Sequence, residues 1–457
     1  MTTQQTRKTL DRTRLADLMA REQDRFARER PRSRALHEQA RRSLLSGVPM
    51  NWMTRWPGSF PVFVAEANGA RLVDVDGIAY VDLCLGNTGA MTGHAPSPTV
   101  AAIARQAHRG LTTMLPSEDA IAVGDELRRR FGLPSWQFTL SATDANRFAI
   151  RLCREITDRS KILVYDHCYH GSVDETFATV DARGAVGLSH GNVGPGVDPA
   201  LTTRVVQWND IEALERALAR GDVACVLAEP VMTNVGIVLP DDGYHAALRE
   251  LTRRHGALLI VDETHTLCAG PGGYTRAHGL APDLITIGKA IGGGVPCGAY
   301  GLSAEVADRV LAHTVWEAAD VGGVGGTLAA NPLSVAAMRA TLSEVLTDAA
   351  FDHMIALGAR FERGVADTIK ERGLPWHVVR VGARSEYLFV PARPHTGAQA
   401  HAAMDGELDA FMHLYMLNHG VLLTPFHMMA LVSPATTAAD VDRHTAVFRD
   451  AVAELFD

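Results

Sequence analysis

Lys289 closes the apolar run LITIGK and is followed at once by AIGGGVP. An amine at the end of a buried strand meets a desolvation cost that lowers its pKa, which suits Schiff-base chemistry with a carbonyl compound. A lysine in such a place also serves to snorkel from a strand end or to grip a phosphate. The glycines at 292–294 follow the lysine and match no P-loop order. Asp262, with Glu263, closes ALLIVDE. A carboxylate there can cap a neighbouring helix, or it can keep a heteroaromatic nitrogen protonated so that the ring accepts electrons from a carbanion. Ser141, Ala142, Thr143 and Asp144 close WQFTLS and open a helix, where free backbone amides and hydroxyls form an anion site as readily as an ordinary N-cap. Tyr169, His170 and Gly171 follow KILVYD, and Tyr169 could stack on a heteroaromatic ring or belong to the core. Glu229 and Pro230 close ACVLAE.

The elements that must position these groups are strands and helices in alternation. Apolar runs at 136–141, 161–166, 224–229, 257–263 and 284–289 alternate with segments of helical period such as ANRFAIRLCREI, DIEALERALAR and YHAALRELTRRHG. Strands apolar throughout imply a mainly parallel sheet covered on both faces. Ligands of such sheets sit beyond the C-terminal strand ends, so five polar strand ends on one side build a site. FVAEANGARLVDVDG reads as a β-meander with turns at Asn68-Gly69 and Asp76-Gly77. A helical pattern runs from Asn331 to about Val345, and an α+β portion ends in the helix DVDRHTAVFRDAVAELF. The expected division is an N-terminal helical extension over 1–45, polar and poorly anchored, a first part of a small lobe over 46–89, a large domain over 90–335 and a C-terminal small domain over 336–457.

Composition narrows the classes. With 457 residues, 47% apolar and 21% charged, the chain can bury a large core. A formal net charge of −8 does not suggest nucleic acid as the partner. The basic residues between Arg7 and Arg42 are interleaved with Asp11, Asp17, Glu22, Asp24 and Glu29, which reads as a solvated helix face. Cys84, Cys153, Cys168, Cys225, Cys268 and Cys297 show no CxxC spacing and read as reduced thiols rather than a disulfide frame or a metal site. No secretory signal and no membrane-length apolar run is seen, so the expected location is cytoplasmic.

Taken together, DVDGIAYVDL, GAMTGHAP, SATDANRFAIRL, CYHGSVDE, AEPVMTN, LLIVDETHT, PDLITIGKAIGGGVPCGAYG and GGTLAANPLSVAAM resemble, in this order, the class III aminotransferases of pyridoxal phosphate fold type I, and within them the glutamate-1-semialdehyde aminomutase branch. The resemblance runs from about Gly47 to the C-terminus. It implies an α/β fold with a mainly parallel, seven-stranded-type sheet in a large domain and a smaller α+β lobe, with pyridoxal 5′-phosphate as cofactor. It places Lys289 as the Schiff-base lysine, Asp262 at the pyridine nitrogen and Tyr169 on the ring, with His170 beside it among the cofactor residues. Ser141, Ala142 and Thr143 fall at the phosphate and Asn234 near the phenolic oxygen. Thr327, in GGT, matches a threonine that reaches the phosphate of a neighbouring subunit, which implies a homodimer with shared sites.

The chain departs from that branch at the substrate side. Thr264 and His265 stand where the branch has Val and Met, and Asn87-Thr88-Gly89-Ala90-Met91 replaces Ser-Trp-Gly-Pro-Met. The expected activity is therefore ping-pong transamination between an amino-acid or amine donor and a keto-acid or other carbonyl acceptor, with Lys289 as the proton shuttle. The alternatives are an intramolecular aminomutase or an epimerase on the same scaffold, and a non-catalytic protein that keeps the fold. A nicotinamide oxidoreductase is disfavoured because no G-x-G-x-x-G follows the first strand of a βαβ unit. Arg55 and Arg384 are the candidates for gripping a substrate carboxylate, each otherwise a surface ion pair, with His265 and Thr88 shaping the side-chain pocket.

Overall fold

The computed structural model describes residues 10–189, 191–313 and 323–457. The chain forms two compact units. One comprises Met1–Ala95, Asp352–Arg393 and Ala403–Asp457; the other comprises Pro96–Phe351 and Pro394–Ala402. The sequence reading put the divisions at 89/90 and 335/336. The structure keeps the helix Pro332–Ala340 and its π-helical continuation Thr341–Val345 in the same unit as the helices Ser97–Ala107 and Glu118–Phe131, against which Pro332–Ala340 packs. The buried Arg130 guanidinium donates to the carbonyls of Leu342 and Leu346, both at 2.7 Å, so the end of that segment is tied to this unit as well.

The unit built on Pro96–Phe351 holds a seven-stranded sheet. Its spatial order is Ser135–Thr139, Gly298–Leu302, Leu284–Gly288, Leu258–Asp262, Val223–Ala228, Lys161–Tyr165 and Thr203–Val206. Gly298–Leu302 runs antiparallel to both neighbours, and the remaining strands run in one direction. The strands over 223–228, 258–262, 284–288 and 298–302 are buried at every position, which is why their sequence shows no alternation. Leu258 and Ile260 join a core with Ala145, Ala149 and Cys153 of the helix Ala142–Thr157, while Leu259 and Val261 border a cavity lined by the helix Tyr244–Arg254. The period-2 side-chain geometry of a strand thus buries both faces.

Register sets the site. Asp262 pairs with Thr286 and Val261 with Ala228, so Glu229, Asp262 and Lys289 leave the same end of three adjacent strands. Of the three lysines among the described residues, Lys289 alone stands at such an end. Lys161 begins its strand and donates to the Ala200 carbonyl at 2.6 Å, and Lys370 lies on the helix Asp348–Arg372.

The other unit carries a four-stranded sheet of Val64–Asn68, Arg71–Asp74, Ala79–Asp82 and Val421–Leu422, and a three-stranded sheet of His377–Val381, Arg384–Leu388 and Met429–Leu431. The expected meander turns form, with Gly69 and Gly77 at φ +55° and +85°. The N-terminal segment corrects the sequence reading. The helix Arg12–Glu29 is anchored: it packs along Gly406–Asn418, and Phe26 joins Phe60, Leu72, Tyr80, Leu414 and Leu417 in one core. Its charges are not all solvated. Glu22 is buried and accepts from Asn418 Nδ2 at 2.9 Å. Arg30, fully buried, donates to Tyr80 Oη at 3.0 Å and Asn418 Oδ1 at 2.9 Å and lies 3.8 Å from Asp74. The polar look of the segment hid a few interior partners for its arginines. Among the described residues no helix is long and apolar enough to cross a membrane.

Removing one partner of a buried ion pair leaves the other charge uncompensated. Arg30→Ala is therefore expected to lower unfolding stability by about 3–5 kcal/mol, read from the urea midpoint at constant m; a change within experimental error would show that the Arg30 network does not anchor the N-terminal helix.

Candidate functional site

The helix Ala142–Thr157 begins at the end of Ser135–Thr139. Ser141 caps it, its Oγ accepting from the Asp144 N–H at 3.2 Å. The N–H groups of Ala142 and Thr143 precede the first intrahelical bond and point out of the helix start, where the peptide dipoles favour an anion. Two glycines bring other segments against this start. A Cβ on Gly288 would lie 2.8 Å from the Ala142 nitrogen, so the residue before Lys289 touches the helix terminus. A Cβ on Gly171 would lie 2.1 Å from Thr143 Oγ1, at a φ of +77°. The Thr143 hydroxyl accepts the Ser172 N–H at 3.1 Å across that contact.

Asp262 is buried and lies among donors. Its Oδ2 accepts from Asn146 Nδ2 at 2.9 Å and from His170 Nδ1 at 3.0 Å, and its Oδ1 from the Thr264 N–H at 3.0 Å. Asn146 is held in turn by Thr286, whose hydroxyl donates to the amide oxygen at 2.6 Å. Burial opposes ionisation of Asp262, but the hydrogen bonds from His170, Thr264 and Asn146 outweigh it and keep the carboxyl below its usual range. Burial likewise opposes the imidazolium of His170, and the Cys168 sulfur and the Asp262 carboxylate outweigh it, raising the pKa to about 10.

Lys289 has φ +53°, a left-handed backbone that costs a non-glycine residue of order 1 kcal/mol and is found where the side chain must be aimed. Its Nζ meets Nε2 of His265. His265 Nδ1 meets the hydroxyl of buried Thr233 at 2.7 Å, and that hydroxyl donates to Oε2 of buried Glu229.

The sequence candidates fall into place unevenly. Lys289, Asp262, Ser141, Ala142, Thr143 and His170 come together at the strand ends of one unit. Tyr169 is 42% exposed and packs edge-on to Phe177 at 6.4 Å between ring centroids. Asn234 is exposed and donates to the His167 carbonyl at 3.1 Å; its neighbour Thr233 is the residue that reaches His265. Thr327 is exposed in a turn. His265 is bonded to the lysine and Thr233, which assigns it more than the expected shaping of a side-chain pocket. In the other unit Arg384 is buried, its Nη2 donating to the hydroxyl of buried Thr88, while its Nε has no hydrogen-bond partner. It is no surface ion pair. Arg55 is exposed at the end of a short 3-10 turn. Sequence reasoning passed over Asn146, Thr286 and Thr233. Asn146 carried a signal, being a polar residue on the buried stripe of an amphipathic helix.

A family model described as aminotransferase class-III matches residues 52–452. A glutamate-1-semialdehyde 2,1-aminomutase of Anaeromyxobacter sp. (strain Fw109-5) is 36% identical over 408 residues, covering 88% of this chain and 92% of that protein. The crystal structure of a glutamate-1-semialdehyde-aminomutase from Pseudomonas aeruginosa PAO1 superposes with a TM-score of 0.95 at 53% identity, over 98% of this chain and 99% of that one. An omega-transaminase from Sphaerobacter thermophilus superposes with a TM-score of 0.84 at 30% identity, over 93% and 97% of the two chains.

The fold is thus that of fold type I pyridoxal phosphate enzymes, and the residues fit the cofactor. Asp262 Oδ1 keeps a lone pair for a ring N–H beside its bond from Thr264. The helix start offers amides to a phosphate, and a lysine amine stands on the next strand.

A group whose pKa is raised on folding contributes stability that is complete below its unfolded pKa and is lost as pH rises through the folded one. In the apoprotein the stability gap between wild type and His170→Gln should therefore be full below about pH 6.5 and close as pH approaches 10. Urea unfolding at about pH 6 and about pH 9.5 checks this; an equal gap at both would show that His170 is not held protonated by Asp262.

Proposed function

The chain belongs to the class III aminotransferases, and on that premise we propose that it moves the amino group of a carboxylate-bearing substrate from C2 to C1, as a glutamate-1-semialdehyde-type 2,1-aminomutase. The cofactor is pyridoxal 5′-phosphate. The observation that carries the chemistry is the placement of the Lys289 amine and the ionised Asp262 on adjacent strand ends beside a helix start. The names of the relatives support the intramolecular shift over the intermolecular transamination that the sequence alone favoured.

When bound, the cofactor supplies an electron sink for charge left on the substrate carbon. Asp262 keeps the ring nitrogen protonated, with Asn146 and His170 holding the carboxylate ionised. Ala142 and Thr143 bind the phosphate, with Ser141 fixing the helix start. Tyr169 would stack on the ring, and Asn234 would reach the phenolic oxygen. Lys289 Nζ holds the cofactor covalently at rest, takes the proton from the substrate carbon and returns it. Thr327 of a second copy completes the phosphate site, which makes the active form a homodimer.

Of the two arginines, Arg384 is assigned to the substrate carboxylate. A buried guanidinium with an unpartnered Nε and no ion pair among the described residues leaves a bidentate edge for an anion. Thr88 orients that edge, and exposed Arg55 is left without a role in the clamp.

A second reading, an aminotransferase working between an amine donor and a keto-acid acceptor, draws support from the replacements Thr264 and His265 and from the omega-transaminase likeness. Incubation with glutamate 1-semialdehyde alone separates the two. The proposed reaction converts it to the isomer bearing the amino group on C1, with no second carbonyl substrate. Turnover that stops after one equivalent and resumes only on addition of a keto acid would replace the first reading with the second.

Loss of a charge-assisted bidentate contact costs about 2–5 kcal/mol of transition-state binding. Arg384→Ala should lower kcat/KM by that amount with a carboxylate substrate and leave an amine of similar size without a carboxylate unaffected, while Arg55→Ala changes neither. Equal losses with both substrates would remove Arg384 from the clamp.

A further inference from the structure

Behind the lysine lies a chain of polar groups that the proposed reaction does not use. Lys289 Nζ meets His265 Nε2, His265 Nδ1 meets Thr233 Oγ1 at 2.7 Å, and Thr233 Oγ1 meets Glu229 Oε2. The Thr233 N–H also reaches the other carboxylate oxygen of Glu229 at 3.4 Å. Glu229 and Thr233 are buried, and His265 Nδ1 is 3.8 Å from Glu229, too far for a direct hydrogen bond. The hydroxyl is therefore the link between ring and carboxylate.

We propose that Glu229, Thr233 and His265 form a proton relay ending at Nζ of Lys289, through which the lysine discharges and recovers its proton without recourse to solvent. The proposal rests on Lys289 being the cofactor lysine.

Two arrangements of hydrogens satisfy every link, and they are the two ends of one transfer. In the first, an ammonium N–H of Lys289 donates to Nε2, Nδ1–H donates to the hydroxyl oxygen, and the hydroxyl donates to the Glu229 carboxylate. In the second, each link has passed one proton along. The Nζ–H bond breaks as Nε2–H forms, Nδ1–H breaks as a new Oγ1–H forms, and the old Oγ1–H breaks as Oε2–H forms. Lys289 becomes a neutral amine and Glu229 a neutral acid. His265 stays neutral in its other tautomer, so no net charge appears at the ring and no oxidant or reductant is needed. Burial pushes the Glu229 carboxyl above its usual range, which makes it a better proton acceptor than an exposed carboxylate. Lys289 bears on this chain at one end, and His170 and Asp262 act electrostatically on Glu229 at the other.

Three variants test the relay in the cofactor-loaded enzyme. Borohydride reduction and peptide mass analysis first locate the cofactor. Thr233→Val preserves volume and charge but removes the link, and Thr233→Ser restores it. With the cofactor on Lys289, Thr233→Val should keep the substrate KM and lower kcat by about tenfold to a hundredfold. Its proton inventory in mixed H2O and D2O should change from the bowed curve of several moving protons to a straight line. Thr233→Ser should recover both rate and curvature. Glu229→Gln should lower the pH midpoint of the cofactor absorption band by about one unit, because a negative charge near Nζ is gone; that readout needs no turnover. A straight inventory in the wild type, a wild-type rate and bowed curve in Thr233→Val, or an unmoved midpoint in Glu229→Gln would each overturn the relay while leaving the cofactor lysine in place. A cofactor fixed on a lysine other than Lys289, or fixed on none, would overturn both.

Discussion

A carboxylate taken out of water keeps its charge only where fixed donors replace the lost hydration. Asp262 meets that condition through three donors from three segments: Asn146 in the helix after the first sheet strand, His170 in the loop after Lys161–Tyr165, and the Thr264 backbone in the turn after its own strand. Because each bond has a narrow geometry, the carboxylate fixes these segments relative to one another. Thr286 holds the far side of the Asn146 amide, so the amide cannot turn away. The helix start, and with it the anion site at Ala142 and Thr143, is positioned by the same network that keeps Asp262 ionised.

Close backbone approach completes the frame. Gly288 lets the lysine strand come against Ala142, and Gly171 lets the His170 loop come against Thr143. A side chain at either place would need space that backbone or a short threonine already occupies. The result is a cluster in which positive character, from the helix terminus and Lys289, lies beside the paired charges of His170 and Asp262. Glu229 stands at the end of the next strand and faces the same cluster through Thr233 and His265.

Much of this was legible in the sequence. Five apolar runs match five of the seven strands of the large sheet to within one or two residues, four of them because nearly every position is buried and the pattern has few ways to look otherwise, while Thr203–Val206 and Gly298–Leu302 were not read. Lys289, Asp262, Glu229, Ser141 and His170 were legible because unusual polar residues recur at the same point of successive strands. The helical extension was misjudged because a buried arginine or glutamate looks like a solvated one until its partner is known. Arg30 finds Tyr80 and Asn418, and Glu22 finds Asn418, far along the chain.

The sequence by itself determined what depends on local pattern: the period of each element, the strand-end positions of the polar residues, the cap at Ser141 and the motif order of the family. Tertiary structure alone decided which strand lies beside which, and so which of those polar ends meet. Thr233 and His265 are 32 residues apart and His265 and Lys289 are 24 apart, yet all converge because Val223–Ala228, Leu258–Asp262 and Leu284–Gly288 are neighbours in register. No periodicity records a hydrogen bond across strands, because side-chain chemistry at one end is indifferent to its partner's place in the sequence. Only the pairing of the strands brings Thr233 to His265, and turns His265 from a residue beside a pocket into one that touches the lysine.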